Sequence, residues 1–84
     1  MKKIIMFSAT WCGPCKASKP HFNTLKESVN SVEYQLVDVD EEAHLAEQFN
    51  IRAVPTFVLL NGTQEVARMS GGATVDKLKA FINQ

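Results

Sequence analysis

Two cysteines, Cys12 and Cys15, enclose Gly13-Pro14 and follow closely on the unbroken apolar run Ile4-Ile5-Met6-Phe7. No other feature constrains the fold as strongly. The apolar run suits a strand buried on both faces. Proline is tolerated in the first turn of a helix, where its missing N–H would have had no partner. A helix opening at the cysteine pair has an inward stripe at Cys15, Ser18, Phe22, Leu25 and Val29, spaced three, four, three and four residues apart. Cys15 then lies on the inward face, and Cys12 is expected at the exposed N-terminal end. Pro20 falls inside this helix and is expected to kink it.

Beyond it, Val32 to Val39 predicts a second strand with Val32, Tyr34 and Leu36 on one face. Asp40 is the expected cap of a short helix whose first turn holds Glu41 and Glu42, with Leu45, Ala46 and Phe49 on its apolar side. Thr56 to Leu60 is a third apolar strand. Asn61-Gly62 is the expected two-residue turn into a fourth strand at about Gln64 to Met69. Gly71-Gly72 breaks the pattern, and Thr74 caps a last helix carrying Val75, Leu78, Phe81 and Ile82. No repeat, low-complexity tract or linker interrupts residues 1–84, so a single domain is expected. The order β-α-β-α-β-β-α implies an α/β fold: a four-stranded mixed sheet flanked by three helices. Its first two strands are parallel through a right-handed crossover, and its last two form an antiparallel hairpin.

Nine basic residues balance nine acidic ones, and no basic stripe is visible, which argues against a nucleic-acid or anionic-membrane partner. Lys2 and Lys3 before Ile4 to Phe7 have the outline of a secretory signal, but the apolar run is far too short. No stretch approaches the roughly 18 apolar residues of a membrane span. The expected compartment is the cytosol, where cysteine pairs tend to be catalytic or metal-binding rather than structural.

A disulfide across two residues closes too short a loop to staple a fold, so the pair is free for chemistry. Thiol–disulfide exchange needs an attacking thiolate, an accessible sulfur and a second thiol to resolve the mixed disulfide. A pair opening a helix supplies all three, because unpaired N–H groups and the helix dipole favour negative charge at its first residue. Cys12 is therefore the expected nucleophile and Cys15 the resolving thiol. A metal site is the competing reading. Zinc wants four ligands, and the only further nitrogen candidates, His21 and His44, lie on the wrong helix face and on a separate helix. Both histidines are expected at the solvated surface, with no metal bound.

Trp11-Cys12-Gly13-Pro14-Cys15-Lys16 resembles the active-site motif of the thioredoxin family, and the likeness continues at Pro20, at Ile51-Arg52-Ala53-Val54-Pro55-Thr56 and at Gly71. It covers essentially the whole chain and is similar to minimal, glutaredoxin-sized members. The extra N-terminal strand and helix of full-length members have no counterpart before a motif that starts at residue 11. Cysteines at this position in the family ionise near about 7, against about 8.5 for a free thiol. The resemblance implies a cis Val54–Pro55 bond facing the cysteines. It also implies a docking surface of Trp11, Val54, Pro55 and Gly71 around Cys12, on which the Val54 backbone binds an extended target segment. It implies reduction of target protein disulfides by a monomer with no bound cofactor. Electrons then come from NADPH through a flavin-containing thioredoxin reductase.

Two positions depart from the family pattern. Met6 stands where a buried aspartate commonly assists the resolving thiol, and Leu36 stands where its lysine partner falls. Losing both avoids an unpaired buried ion and leaves water as the expected base for Cys15. Ser8 replaces a second tryptophan, which is expected to make the rim less apolar. A glutathione-dependent glutaredoxin is the nearest alternative, since Gly71-Gly72 with Asp76 suits a glutathione site. Gly13-Pro14 and Trp11 argue against it. A non-catalytic subunit of a larger complex and a metallochaperone are the remaining alternatives.

Overall fold

Every residue of the apolar run Ile4–Phe7 is buried, and the sheet is arranged around it. In the computed structural model, which describes Met1–Gln84, that run lies in strand β1 (Lys2–Ser8). Helix α1 (Gly13–Ser28), strand β2 (Glu33–Asp38), helix α2 (Ala43–Gln48), strands β3 (Thr56–Asn61) and β4 (Gln64–Ser70), and helix α3 (Val75–Ile82) follow. The sheet order is β2-β1-β3-β4. β1 runs parallel to β2 and antiparallel to β3, which pairs antiparallel with β4. The expected mixed sheet with three helices is the observed one.

Alternation along β1 divides the interior. Ile4 and Met6 join Phe22 and Leu25 of α1, Phe57 and Leu59 of β3, and Leu78, Phe81 and Ile82 of α3. Ile5 and Phe7 join Val37, Val58 and Leu60, with Leu45, Phe49 and Ile51 of the α2 region packed against them. Each fully buried side chain of this size contributes about 1.5–3 kcal/mol, so β1 is stabilised from both sides. α1 runs through Pro20 without interruption and buries Cys15, Ser18, Phe22 and Leu25 of the expected stripe, while Val29 serves as its C-cap. The Tyr34 hydroxyl, from β2, lies 3.3 Å from the Leu25 carbonyl, which also accepts the Val29 N–H, and meets the carbonyl of Val29 at the helix end. Burial pushes the Tyr34 phenol above its ordinary value.

Two local expectations are corrected, and a third holds with Leu36 left in the open. Leu36 does face the same side as Tyr34, opposite Met6, but β2 is the outer strand and Leu36 is 48% exposed. The α2 cap is not Asp40: the helix starts two residues later, with Glu42 at a cap position that makes no side-chain bond. Asp38 claims the turn instead, its Oδ1 accepting the N–H groups of Asp40 at 2.8 Å and Glu41 at 3.2 Å. The hairpin turn is Gly62-Thr63, because Asn61 stays in β3 opposite Gln64 and Gly62 takes the positive φ of +64°. β4 also holds a bulge. Leu59 faces Ala67 and Leu60 faces Glu65, so Val66 is an extra residue, 44% exposed. Arg68 bonds Glu65 through Nε at 2.7 Å and Nη2 at 2.8 Å, and its Nη2 donates to the Phe49 carbonyl at 2.9 Å.

Candidate functional site

Cys12 has extended backbone angles, φ −91° and ψ 111°, and caps α1. Its Sγ accepts the Cys15 N–H at 3.1 Å, the place a serine or aspartate oxygen takes in an ordinary N-cap. Its own N–H donates to the Ala9 carbonyl at 3.2 Å, folding the chain back from the end of β1. No acidic residue lies in the first turn of α1, so no carboxylate competes for the positive helix end. Cys12 and Cys15 are joined as a disulfide with their Cα atoms 5.3 Å apart.

The expected exposure of Cys12 is corrected: it is 4% exposed, and Cys15 is fully buried. The bond to Cys15 and the N–H bond turn the Cys12 sulfur back over the helix end, so in this oxidised state only an edge meets solvent. The side chain that stands out is Trp11, 69% exposed, its Nε1–H donating to Asp40 Oδ2 at 3.0 Å.

Val54–Pro55 is cis, and Pro55 is buried. The Gly71 N–H donates to the Pro55 carbonyl at 2.9 Å, and Gly71 holds φ +97°, a value that glycine accepts readily. The Thr56 hydroxyl bonds the Ala53 carbonyl at 2.7 Å and lies 3.2 Å from Ser70 Oγ, fastening the loop before β3 to the end of β4. Trp11 and Val54 line one cleft of 150 Å³, together with Val39, Ile51, Arg52 and Ala53. Val54 also packs against the core cluster that contains both cysteines. Gly13 is exposed with open space beside it, and Pro14 borders a second cleft with Ser18, His21, Gly72 and Lys77. The structure thus brings Trp11 beside Val54 and Pro55 beside Gly71, and turns Pro14 to the opposite side of the helix end.

Ser18 was legible only as a stripe position. Its buried Oγ accepts the Ala73 N–H at 3.2 Å and lies 3.2 Å from where a Cβ on Gly72 would be, so α1 and the segment before α3 touch closely. His44 is at the surface as expected, whereas His21 is half-buried beside that contact. Ser8 is not on the rim: it is 2% exposed, with its carbonyl accepting the Val39 N–H at 2.9 Å. Met6 is fully buried in the cluster that holds both cysteines, directly opposite Leu36. The only polar residues among the buried ones are Ser8, Ser18 and Thr56. No group of three or more His, Cys, Asp or Glu side chains lies close enough together to hold a metal ion. A larger cleft of 480 Å³, lined by Lys3, Lys26, Glu33 and Tyr34 among others, includes none of these site residues.

Comparisons with known proteins agree with this geometry. Residues 1–84 match the family model Thioredoxin. A thioredoxin of Oryctolagus cuniculus is 43% identical over 81 residues, which are 96% of this chain and 76% of that protein. A thioredoxin structure from Nicotiana alata superposes with a TM-score of 0.92 at 38% identity, covering 98% of this chain and 70% of that one. One from Malassezia sympodialis superposes at 0.90 with 39% identity, covering 99% and 73%. A helix-capping cysteine bonded to a buried one, set in this fold, performs dithiol–disulfide exchange with protein disulfides. The chain is a protein-disulfide reductase that belongs to the thioredoxin family.

Proposed function

We propose that Cys12 is the attacking sulfur and Cys15 the resolving one. In the reduced protein the Cys12 thiolate attacks one sulfur of a target disulfide. The target S–S bond breaks, a mixed disulfide forms, and the second target sulfur leaves and takes a proton. Cys15 then loses its proton and attacks Cys12 Sγ, which closes the Cys12–Cys15 bond and releases the target as a dithiol. Two electrons pass from the cysteine pair to the target. The observation carrying this order is the asymmetry at the helix end. Cys12 caps α1 with an N–H pointed at its sulfur, while Cys15 has no exposed surface.

A sulfur that accepts a helix N–H is stabilised as a thiolate, and a buried thiol in apolar surroundings is not. Apart from the two cysteines, the buried residues include no Asp, Glu, His, Lys, Arg or Tyr, which supports water as the base that takes the Cys15 proton. Trp11, Val54, Pro55 and Gly71 form the target-docking surface, and Gly13-Pro14 shape the helix opening. Proteins of this family work without a bound cofactor. The electrons are supplied from NADPH through a flavin-containing thioredoxin reductase, and the working compartment is the cytosol.

The test is a pair of variants assayed on insulin. Cys15→Ser should accumulate a covalent adduct visible by mass spectrometry, and Cys12→Ser should form none and lose insulin reduction. Adduct formation through residue 15 in the Cys12→Ser variant would reverse the assignment. Turnover with thioredoxin reductase and NADPH, set against turnover with glutathione and its reductase, identifies the electron donor.

A further inference from the structure

The two outer strands of the sheet are protected unequally. β4 carries the bulge at Val66 and the paired charges of Glu65 and Arg68. β2 has neither device: Glu33 to Asp38 keep an unbroken parallel register with Lys3 to Ser8. Backbone groups alternate sides along a strand, and the Val39 N–H donates to the Ser8 carbonyl, so those of Glu33, Gln35 and Val37 point at β1. The N–H and C=O groups of Tyr34 and Leu36 point the other way, where the sheet has no further strand. The Asp38 carbonyl, next in that row, is already taken by the Glu42 N–H. The exposed Leu36 side chain stands beside the open row. A flat edge of this kind is a template for another strand.

Charge is divided along the same edge. Its start borders the open cleft of 480 Å³ lined by Lys3, Lys26, Glu33 and Tyr34 among others. Arg68–Glu65 is the only ion pair of the chain, so Lys3 and Lys26 are free. Its end runs into Asp38-Val39-Asp40-Glu41-Glu42, four acids in five residues. An antiparallel copy of β2 laid along this edge sets acidic end against basic start, and does so twice. A parallel copy would set like ends together.

We propose that a second copy of this chain docks on the β2 edge, antiparallel about a two-fold axis at Gln35. That register sets Tyr34 opposite Leu36 of the second copy, so that every open group of both residues is paired. Centring on Leu36 would instead set Tyr34 against Asp38, whose carbonyl is taken. On one face Leu36 covers the Tyr34 ring of the other copy, and on the other face Gln35 meets Gln35 and Glu33 meets Val37. Asp38 falls opposite Val32 of the second copy, on the face that α1 and its Lys26 cover. No two charges of one sign are opposed. Two four-stranded sheets become continuous, and the isologous contact closes the assembly at two. The inference goes beyond the oxidoreductase function and does not depend on it.

The experiment is sedimentation equilibrium on the full chain over a range of protein concentrations, with amide exchange followed by NMR. A six-residue edge is smaller than a standard interface, so the dimer should dissociate with a Kd of about 0.1–1 mM. Between about 20 µM and about 1 mM protein, exchange of the Tyr34 and Leu36 N–H groups should slow at least about twofold, while Gln35 and Val37, bonded to β1 throughout, stay unchanged. Leu36→Lys should raise Kd at least about tenfold, and Lys26→Glu about threefold, as should about 0.5 M salt. Val66→Lys, on the opposite edge, should leave Kd unchanged, and so should dithiothreitol.

A single monomeric species up to about 1 mM protein would overturn the proposal. So would species larger than a dimer, a dimer lost on reduction, or one dissolved by Val66→Lys and not by Leu36→Lys. Association that strengthens with salt would remove the charge argument and the antiparallel register with it. Should Leu36→Lys unfold in urea markedly earlier than the unaltered protein, exchange at Tyr34 and Leu36 in the unaltered protein decides the matter.

Discussion

The two faces of the sheet are built differently. One is covered by α1 and α3 and carries a cluster of 14 buried residues, among them Cys12, Cys15 and Met6. The other lies under the six-residue α2 and carries five, none of them part of the site. The reactive disulfide is therefore a wall of the larger core, whereas the smaller core seats β1 and the β3–β4 hairpin and meets the site only through Val39 and Ile51 at its margin. A redox change at the cysteines acts on packing immediately behind them on one face and reaches the other only through β1 and β3. Chemistry and stability are coupled on the first face and separable on the second.

Truncating one large side chain on each face gives the largest expected effect. Phe57→Ala, in the cysteine-bearing cluster, should cost about 4 kcal/mol, and Leu60→Ala, at the margin of the smaller one, about 2 kcal/mol. Urea unfolding measures both. The contrast sharpens if insulin reduction per folded molecule falls only for Phe57→Ala; an equal fall in both variants would break it.

Reduction of the disulfide should come next. Opening a loop this short removes about 2 kcal/mol of chain-entropy stabilisation at most. Amide exchange should quicken in α1 and at the ends of β1 and β3 rather than in α2. Faster exchange spread evenly over both faces would show that they are not separable.

The smallest effect belongs to neither core. A hydrogen bond from Arg68, with a smaller charge contribution, holds the Glu65 carboxyl below its ordinary value. A carboxyl whose pKa is depressed by folding adds stability above its unfolded value and loses it as pH falls through the folded one. The pair, with both side chains 36% exposed, should contribute less than about 1 kcal/mol at neutral pH, fading below about pH 4. Unfolding midpoints of the unaltered protein and Glu65→Gln should converge at acid pH, and a gap that persisted there would assign the effect to packing.

The fold was readable because its signals are local. Unbroken apolar runs mark β1 and β3, a three-four spacing marks α1, and proline and glycine other than Pro20 fall where elements begin or end. The cysteine pair and its helix opening were readable for the same reason. What escaped depends on contacts between distant segments. Nothing near Asp40 announces an indole 29 residues away, and the competition in which Asp38 took the turn is decided by where β2 stops. Cys12 was expected in the open because a helix N-terminus is normally solvated, but the sulfur itself fills the cap and turns inward. The turn shifted by one residue because the pairing of Asn61 with Gln64 outweighed the usual preference for asparagine in the bend.

In a concentrated solution, Val66 works against self-association. β4 is a terminal strand, and its free edge offers amide and carbonyl groups to any passing chain. The extra residue changes the phase of that row, so an incoming strand in step with Gln64 and Glu65 is out of step beyond Ala67. Growth of the sheet from one molecule to the next stalls after the first contacts, and an exposed valine is kept from seeding a fibril.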